Sequence, residues 1–451
     1  MKNIMPGLLA ADCAVMAEID PQSLYRSLEQ VRDGRKARGK HYPLPLLLTL
    51  ILLAKLAGET SISGVVDWTR HRAPWLRQHL NWPRGFPTNS TYTYALARTD
   101  AEQLVQVVAQ VLIRARSMQA DDAEAQPIVQ VAMDGKALRG TWSQEKKAWE
   151  KKRAEEKKHK KRKAAEAKKQ KKHKKTEEVE KKEHESEHEP KEREQDKEVR
   201  HPSVHLLSLY DCQSGLVLAQ RSIDAKANEI SAAAALAHPA LVKGRLISAD
   251  AIHTQKKWCA LVNAYAGDYL LIAKGNQPTL FQDLQDFFTD PDAQRKEWGY
   301  AKQVQKGHGR IEVRRIWTST HMNAWFEPEW TGIAQVFCVH RQVTEAGTSR
   351  EETVYGITSL TRQQANAHRL LTCVQTHWHI ENRLHWRRDV TLGEDGCRVR
   401  MAGAPQALAA LNGAVLGLMD WLGVSNVPKQ MRYFAAHPSC MLPLFYSELK
   451  R

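Results

Sequence analysis

Apolar residues recur at helical spacing through the first quarter of the chain. A basic loop from Arg32 to Lys40 leads into a predicted Leu-rich helix from Pro45 to Ala57. Thr99-Asp100-Ala101-Glu102 has the spacing of a capping box, and Leu104, Val107, Val108, Val111 and Leu112 follow at i, i+3, i+4, i+7 and i+8. Residues 20–118 therefore read as helical, within a helical N-terminal segment 1–120. Two uses are open to it: packing onto the rest of the chain, or DNA binding by a helix-turn-helix-like array around Thr88 to Ala97.

From Pro127 the period shortens. Strand-like runs are predicted at Ile128–Met133, Val204–Leu209, Leu216–Ala219, Arg245–Ala249 and Tyr269–Ala273, with helices at Asn228–Ala237 and Gln255–Tyr265. Successive strands that then alternate with helices predict an α/β fold, a mixed sheet with helices on its faces, in two pieces at 125–144 and 201–275. Three more β-like runs, around Val313–Thr318, Ile333–His340 and Thr353–Ile357, make 276–361 a β-rich insertion. Helix returns in 362–451, from Arg362 to about Arg388 and from Gln406 to Leu422. The stripe Leu408, Leu411, Val415, Leu418 and Leu422 there reads as core.

Between the two pieces lies a different kind of sequence. Glu145–Glu189 has no Gly or Pro and is nearly all Lys, Glu, Ala and His, without a sustained heptad seam. Such a segment buries no core, so 145–200 reads as a charged insertion, helical or disordered, tolerated at the surface; a DNA-skimming arm is the second reading.

That segment changes what the net charge means. The 451 residues carry +16, but 145–200 alone has 23 basic and 16 acidic residues, a net of +7. The other 395 residues keep 44 basic against 35 acidic, a net of +9, which is weak support for a polyanionic partner. The seven cysteines are scattered and free of any C-x-x-C pair, which argues against a disulfide framework or a cysteine zinc site. The longest apolar run, Leu44–Ala54, is interrupted by Pro45 and Thr49 and falls short of the roughly 20 residues a membrane span needs. With no signal-like N-terminus, a cytoplasmic protein with no membrane partner is expected.

Three acids sit where the pattern ends its elements. Asp134 follows the run Ile128–Met133, Asp250 ends the run Leu246–Ala249, and Glu381 lies in the helix containing His377 to Arg388. Carboxylates at the ends of neighbouring strands point into one crevice, and a helical Glu crossing that edge completes a triad. Hard oxygen ligands of this kind suit Mg²⁺ or Mn²⁺, and two such ions about 3.5 to 4 Å apart serve phosphoryl transfer. Singly, each acid has a plainer use as a turn former or as half of a surface i, i+4 pair such as Glu381 with His385. His377, His379 and His385 are a poor chelating set by spacing, because His377 and His379 do not share a helix face. Trp378 and Trp386 read as core in preference to base-stacking platforms.

The flanking residues carry a resemblance. Met133-Asp134-Gly135-Lys136-Ala137-Leu138-Arg139-Gly140, Lys226-Ala227-Asn228-Glu229-Ile230, Ala249-Asp250-Ala251-Ile252-His253-Thr254-Gln255, Lys274-Gly275-Asn276-Gln277-Pro278 and the stretch from His377 to Asp395 resemble the ISAs-type insertion-sequence transposases, which include the H-repeat-associated proteins. The resemblance runs from about Leu24 to the C-terminus, apart from the charged insertion.

The resemblance implies a ribonuclease-H-like core whose catalytic, metal-holding DDE triad is Asp134, Asp250 and Glu381. It implies cleavage at the terminal repeats of a bacterial element and strand transfer into target DNA, with two Mg²⁺ or Mn²⁺ ions. Partners would be double-stranded DNA and a second copy of the chain, at least a dimer on DNA, associated with the nucleoid when active. Related transposases carry Tyr, Arg and Lys at seven before, four before and seven after the Glu; here those positions hold Val374, His377 and Arg388. Lys136, Arg139, Lys274, Asn276, Gln277, His377 and Arg388 are the expected DNA contacts, with a structural salt bridge as the alternative for Lys136 and Arg139. The altered positions leave a rival reading, a catalytically idle DNA-binding relic, and a second, a structure-selective nuclease with the same metal chemistry.

Overall fold

In the computed structural model the described residues are 22–80, 82, 84–117, 128–141, 204–223, 229–290, 295–307 and 309–447. The charged insertion 145–200 and the first three residues of the Lys226–Ile230 motif lie outside them. Among the described residues the N-terminal pattern folds as six α-helices, Leu24–Leu28, Leu44–Leu56, Ile62–His71, Ala73–Leu80, Asn89–Leu96 and Ala101–Ser117. Leu46 to Leu53 is apolar all round except Thr49, and the helix is accordingly buried on every side. The last of the six starts one residue later than a Thr99 cap would give. Asp100 Oδ1 accepts from the Gln103 amide at 3.0 Å, while the Thr99 hydroxyl turns back to the Ala95 carbonyl at 2.9 Å.

Among the described residues nine strands form one mixed sheet: β1 Gln130–Ala137, β2 His205–Asp211, β3 Leu216–Ile223, β4 Leu246–Ala249, β5 Asp268–Ala273, β6 Gly299–Gly307, β7 Arg310–Ser319, β8 Gln335–Glu345 and β9 Thr348–Thr358. Their order is β3-β2-β1-β4-β5-β9-β8-β7-β6. The central trio β1, β4 and β5 is parallel; every other pairing is antiparallel. The last four strands are not set apart: β9 pairs with β5 and extends the same sheet. Strand β6 escapes the sequence pattern because Lys302, Gln303, Gln305 and Lys306 make both of its faces polar. Its hydrogen bonds to β7 run from Gly299 to Gly307. Helix Pro278–Thr289, inside the segment expected to be β-rich, likewise escaped it.

β1 is longer than its apolar run. It continues through Asp134 to Ala137 because β2 pairs with it that far, Ala137 opposite His205, whereas its pairing with β4 stops at Met133 opposite Ala249. Helix Ala404–Trp421 is buried along nearly its whole length and shares one apolar core with the N-terminal helices and one face of the sheet. No helix among the described residues is long and apolar enough to cross a membrane.

Candidate active site

Parallel pairing of β1 with β4 fixes the first two acids. Since Met133 lies opposite Ala249, Asp134 and Asp250 are the next residues on adjacent strands. Asp250 leaves the sheet in an extended conformation and begins a 3₁₀ turn, Ala251–His253. Glu381 arrives from the chain that follows β9: helix Ala367–His377, a π turn Ile380–His385, and helix Trp386–Val390. The helical run expected from Arg362 thus starts at Ala367, where the Asn366 side chain accepts from the Arg369 amide, and is interrupted by the π turn. Ile380 and Leu384 are buried in the main core and hold the π turn down. Gln130, also buried, donates to both the Ser248 hydroxyl and the Cys373 carbonyl at 2.9 Å, tying β1, β4 and the helix together beneath the site.

Two histidines knit the acids. His385 is 4% exposed; its Nδ1 stands 3.3 Å from Asp134 Oδ2 and 3.2 Å from Glu381 Oε2. Burial by itself would lower its pKa, but the hydrogen bonds to Asp134 and Glu381 outweigh burial and raise it. The hydrogen bond from His385 draws Glu381 below its ordinary value, against burial and against the negative charge of Asp250. His377 stands 3.1 Å from the Ser248 hydroxyl through Nδ1 and 3.6 Å from Asp250 Oδ1 through Nε2. Its hydrogen bond is the main reason Asp250 is also drawn below the ordinary carboxylate range.

This donor set fits a divalent cation. One ligand atom each from Asp134, Glu381 and His385 lies within 4.8 Å of the others, and the remaining nitrogen of His385 has no hydrogen-bond partner. Asp250 is outside that group of three but close enough for its charge to act on Glu381. Carboxylate oxygens suit hard divalent cations, and an imidazole is a ligand more typical of transition metals.

Several expected DNA contacts are otherwise engaged. Arg388 is fully buried, its Nε 2.9 and 3.0 Å from the two oxygens of Glu394 and its Nη1 3.3 Å from Gln220 Oε1. Asn412 donates to the same Glu394 at 2.8 Å. A guanidinium sealed in this way is not open to a phosphate. Lys136 is likewise buried and grips both oxygens of Asp389 at 2.6 and 2.7 Å, which is the salt-bridge alternative. His377 faces Asp250, and Asn276 donates to the Ala251 carbonyl at 2.6 Å. Gln277 reaches Gln255 at 3.2 Å. Arg139, with Asp395 no nearer than 3.8 Å, and Lys274 remain exposed.

Trp378 and Trp386, expected in the core, are 60% and 55% exposed beside Glu381. His385 was legible as the i+4 neighbour of Glu381, but its contact with Asp134 was not.

A carboxylate within β1, a second on the π turn and an imidazole between them, with a third carboxylate just past the end of β4, make an acid cluster of the kind a divalent cation can take. The chain belongs to the family described as "Transposase DDE domain", whose profile matches residues 176–412, and the associated N-terminal profile, "DDE_Tnp_1-associated", matches 25–111. The first match contains Asp250 and Glu381 and begins after Asp134.

The chain is similar to "Putative protein YbfL" of Escherichia coli K12, at 23% identity over 420 residues, 91% of this chain and 94% of that one. It is similar to "Putative transposase YncI" of Escherichia coli O157:H7, at 24% over 428 residues and 93% of each chain. "H repeat-associated putative transposase YhhI" of Escherichia coli K12 matches at 30% over 246 residues, 52% of this chain and 64% of that one. Membership makes the chain a DDE-type insertion-sequence transposase at the level of the family, and the family implies use of a divalent metal.

Proposed function

We propose that this transposase binds the ends of its own element, hydrolyses one strand at each end, and uses the freed 3′-hydroxyl to attack target DNA. The observation that carries the reading is the meeting of Asp134 and Glu381 on one imidazole, with Asp250 next to Asp134 across the parallel strands. The strand order β3-β2-β1-β4-β5 is taken as a ribonuclease-H-like core, with β6–β9 as its insertion and the helices before β1 as the DNA-binding part. Divalent ions, two in this reading and Mg²⁺ or Mn²⁺ by chemistry, would activate the attacking oxygen and stabilise the leaving one.

The protein's own groups do the positioning. Asp134, Glu381 and Asp250 supply the negative charge that a divalent ion needs, and His385 holds the first two together. His377 keeps Asp250 ionised and turned to the helix. Exposed Arg139 and Lys274 are the cations free to take backbone phosphates. Two copies of the chain bridge the two ends of the element.

Asp134→Asn, Asp250→Asn and Glu381→Gln are each expected to abolish Mg²⁺-dependent cleavage of cognate ends while gel-shift binding to those ends persists. Cleavage retained by any one of them removes that residue from the triad. Retention of all three carboxylates supports an active enzyme over an idle relic; a wild-type chain that binds ends but never cuts them would reverse that preference.

A further inference from the structure

Three side chains from the sequence motifs around the site, Glu229, His253 and Asn276, are not used by the chemistry above, and their contacts converge on one short turn. Asp250 has 63% of its side chain exposed, and its carboxylate makes one close side-chain contact, with His377. What places that carboxylate is therefore the backbone of the turn Ala251–His253 that follows it.

Ties reach this turn from two directions. His253, 1% exposed, has its Nε2 3.2 Å from Glu229 Oε1, at the start of helix Glu229–Leu236. Asn276, in the loop after β5, donates to the Ala251 carbonyl at 2.6 Å. The following Thr254 hydroxyl donates to the Ile272 carbonyl of β5 at 2.7 Å, which anchors the end of the turn to the sheet. Gly135 makes room for the first of these. A Cβ there would lie 2.6 Å from Glu229 Oε1, so a side chain at 135 would displace the carboxylate from His253.

We propose that Glu229, His253 and Asn276 are positioning residues, a clamp that holds the turn after β4 so that Asp250 stays aligned with Asp134. The inference rests on Asp250 being a metal-holding residue. It explains why an exposed Asp at a strand end has a buried histidine three residues on, and why a glycine directly follows Asp134. Glu229 acts through His253 on the turn; on the β1 side it meets the face of Gly135, opposite to the face from which Asp134 reaches His385.

The test is Mn²⁺ affinity of the full-length protein, followed by the electron paramagnetic resonance signal of free Mn²⁺, with thermal midpoints recorded alongside. Glu229→Ala is expected to weaken Mn²⁺ binding by about tenfold or more at temperatures where the protein is folded, as loss of a supporting partner does at metal sites. Glu229→Gln keeps an oxygen acceptor for His253 and is expected to restore most of that affinity. Asn276→Ala, which removes the other tie, is expected to weaken binding in the same direction and serves if Glu229→Ala does not fold.

If Glu229→Ala or, failing that, Asn276→Ala leaves Mn²⁺ affinity unchanged while Asp250→Asn lowers it, the clamp is wrong and the site stands. Equal losses from Glu229→Ala and Glu229→Gln would make Glu229 a direct ligand and overturn the positioning role. If Asp250→Asn itself leaves affinity unchanged, it is the reading of Asp250 that fails.

Discussion

His385 is the residue on which the site turns. When protonated, its imidazolium is a cation between Asp134 and Glu381. Because folding raises its pKa, its stabilising contribution is whole below the ordinary 6.5 and is lost as pH rises through the raised value. Glu381 runs the other way: its contribution is present above 4.5 and lost as pH falls through its lowered value. The metal-free pair is thus strongest between those two limits. Ring-nitrogen NMR of His385 should give a midpoint above 6.5 without metal and a lower one with saturating Mg²⁺, since ion and proton compete for the same cluster. A metal-free midpoint at or below 6.5 would discredit the bridge.

Arg388 offers a second test at the same scale. Removing one partner from a buried ion pair typically costs about 3–5 kcal/mol, so Arg388→Ala should lower the melting temperature sharply. Arg388→Lys should recover only part of the loss, having no fork to span Glu394 and Gln220. The slope of DNA affinity against salt should stay as in the wild type in any folded Arg388 variant, whereas loss of a phosphate contact would reduce it by about 0.9.

At the scale of elements, the π turn Ile380–His385 decides which side chains meet. The i, i+4 spacing of Glu381 and His385 was visible in the sequence, but a π turn is not a periodicity a hydrophobic pattern reveals. Deleting exposed Asn382 should take out the extra residue of the π turn, closing it to α winding with the flanking helices in register and Glu381 and His385 only three positions apart. That leaves Arg388 on Glu394 and moves Glu381 out of line with His385 and Asp134. Weaker Mn²⁺ binding with little change in melting temperature is expected; full Mn²⁺ affinity in the deletion variant would show that the π turn is not what aligns the pair.

The strand ends illustrate a similar limit. The apolar run stopping at Met133 set Asp134 at the strand end, yet β1 runs on to Ala137 because β2, distant in sequence, pairs with it there. Trp378 and Trp386 show the converse: their apolar character suggested core, but the helix is buried through Ile380 and Leu384 and leaves both indoles outside. β6 was missed because burial on one face, the source of a strand's alternating pattern, is confined to Ala301.

Across the whole molecule, the +16 charge separates into an insertion and a mildly basic body. Ala137 pairs with His205, and the Leu138 amide donates to the Val204 carbonyl at 2.8 Å, so the chain leaves and re-enters the sheet at adjacent points. Replacing 145–200 by a short Gly/Ser linker should leave the melting temperature within about 3 °C, under ~1 kcal/mol. It should preserve Mg²⁺-dependent end cleavage, and nonspecific DNA affinity should fall with a shallower salt slope. Loss of cleavage in a folded deletion variant would give the insertion a catalytic role.

By itself the sequence determined the mixed α/β class, the positions of most strands and helices, and the family through its ordered motifs, and it singled out the three carboxylates proposed for the chemistry. Those features are local: an apolar period, a strand boundary or a run of motif residues is complete within some ten positions. Only the tertiary structure decided what each polar group touches. It sent Arg388 and Lys136 into buried ion pairs, turned His377 to Asp250, set His385 between acids 247 residues apart in the chain counting from Asp134 to Glu381 at 134 and 381, and brought Glu229 beside Gly135. A charged side chain has the same sequence signature whether it ends in solvent, on a phosphate or in a sealed pair. Which of these it meets depends on strand pairing and helix register across the whole fold, and there the desolvation of each group is settled.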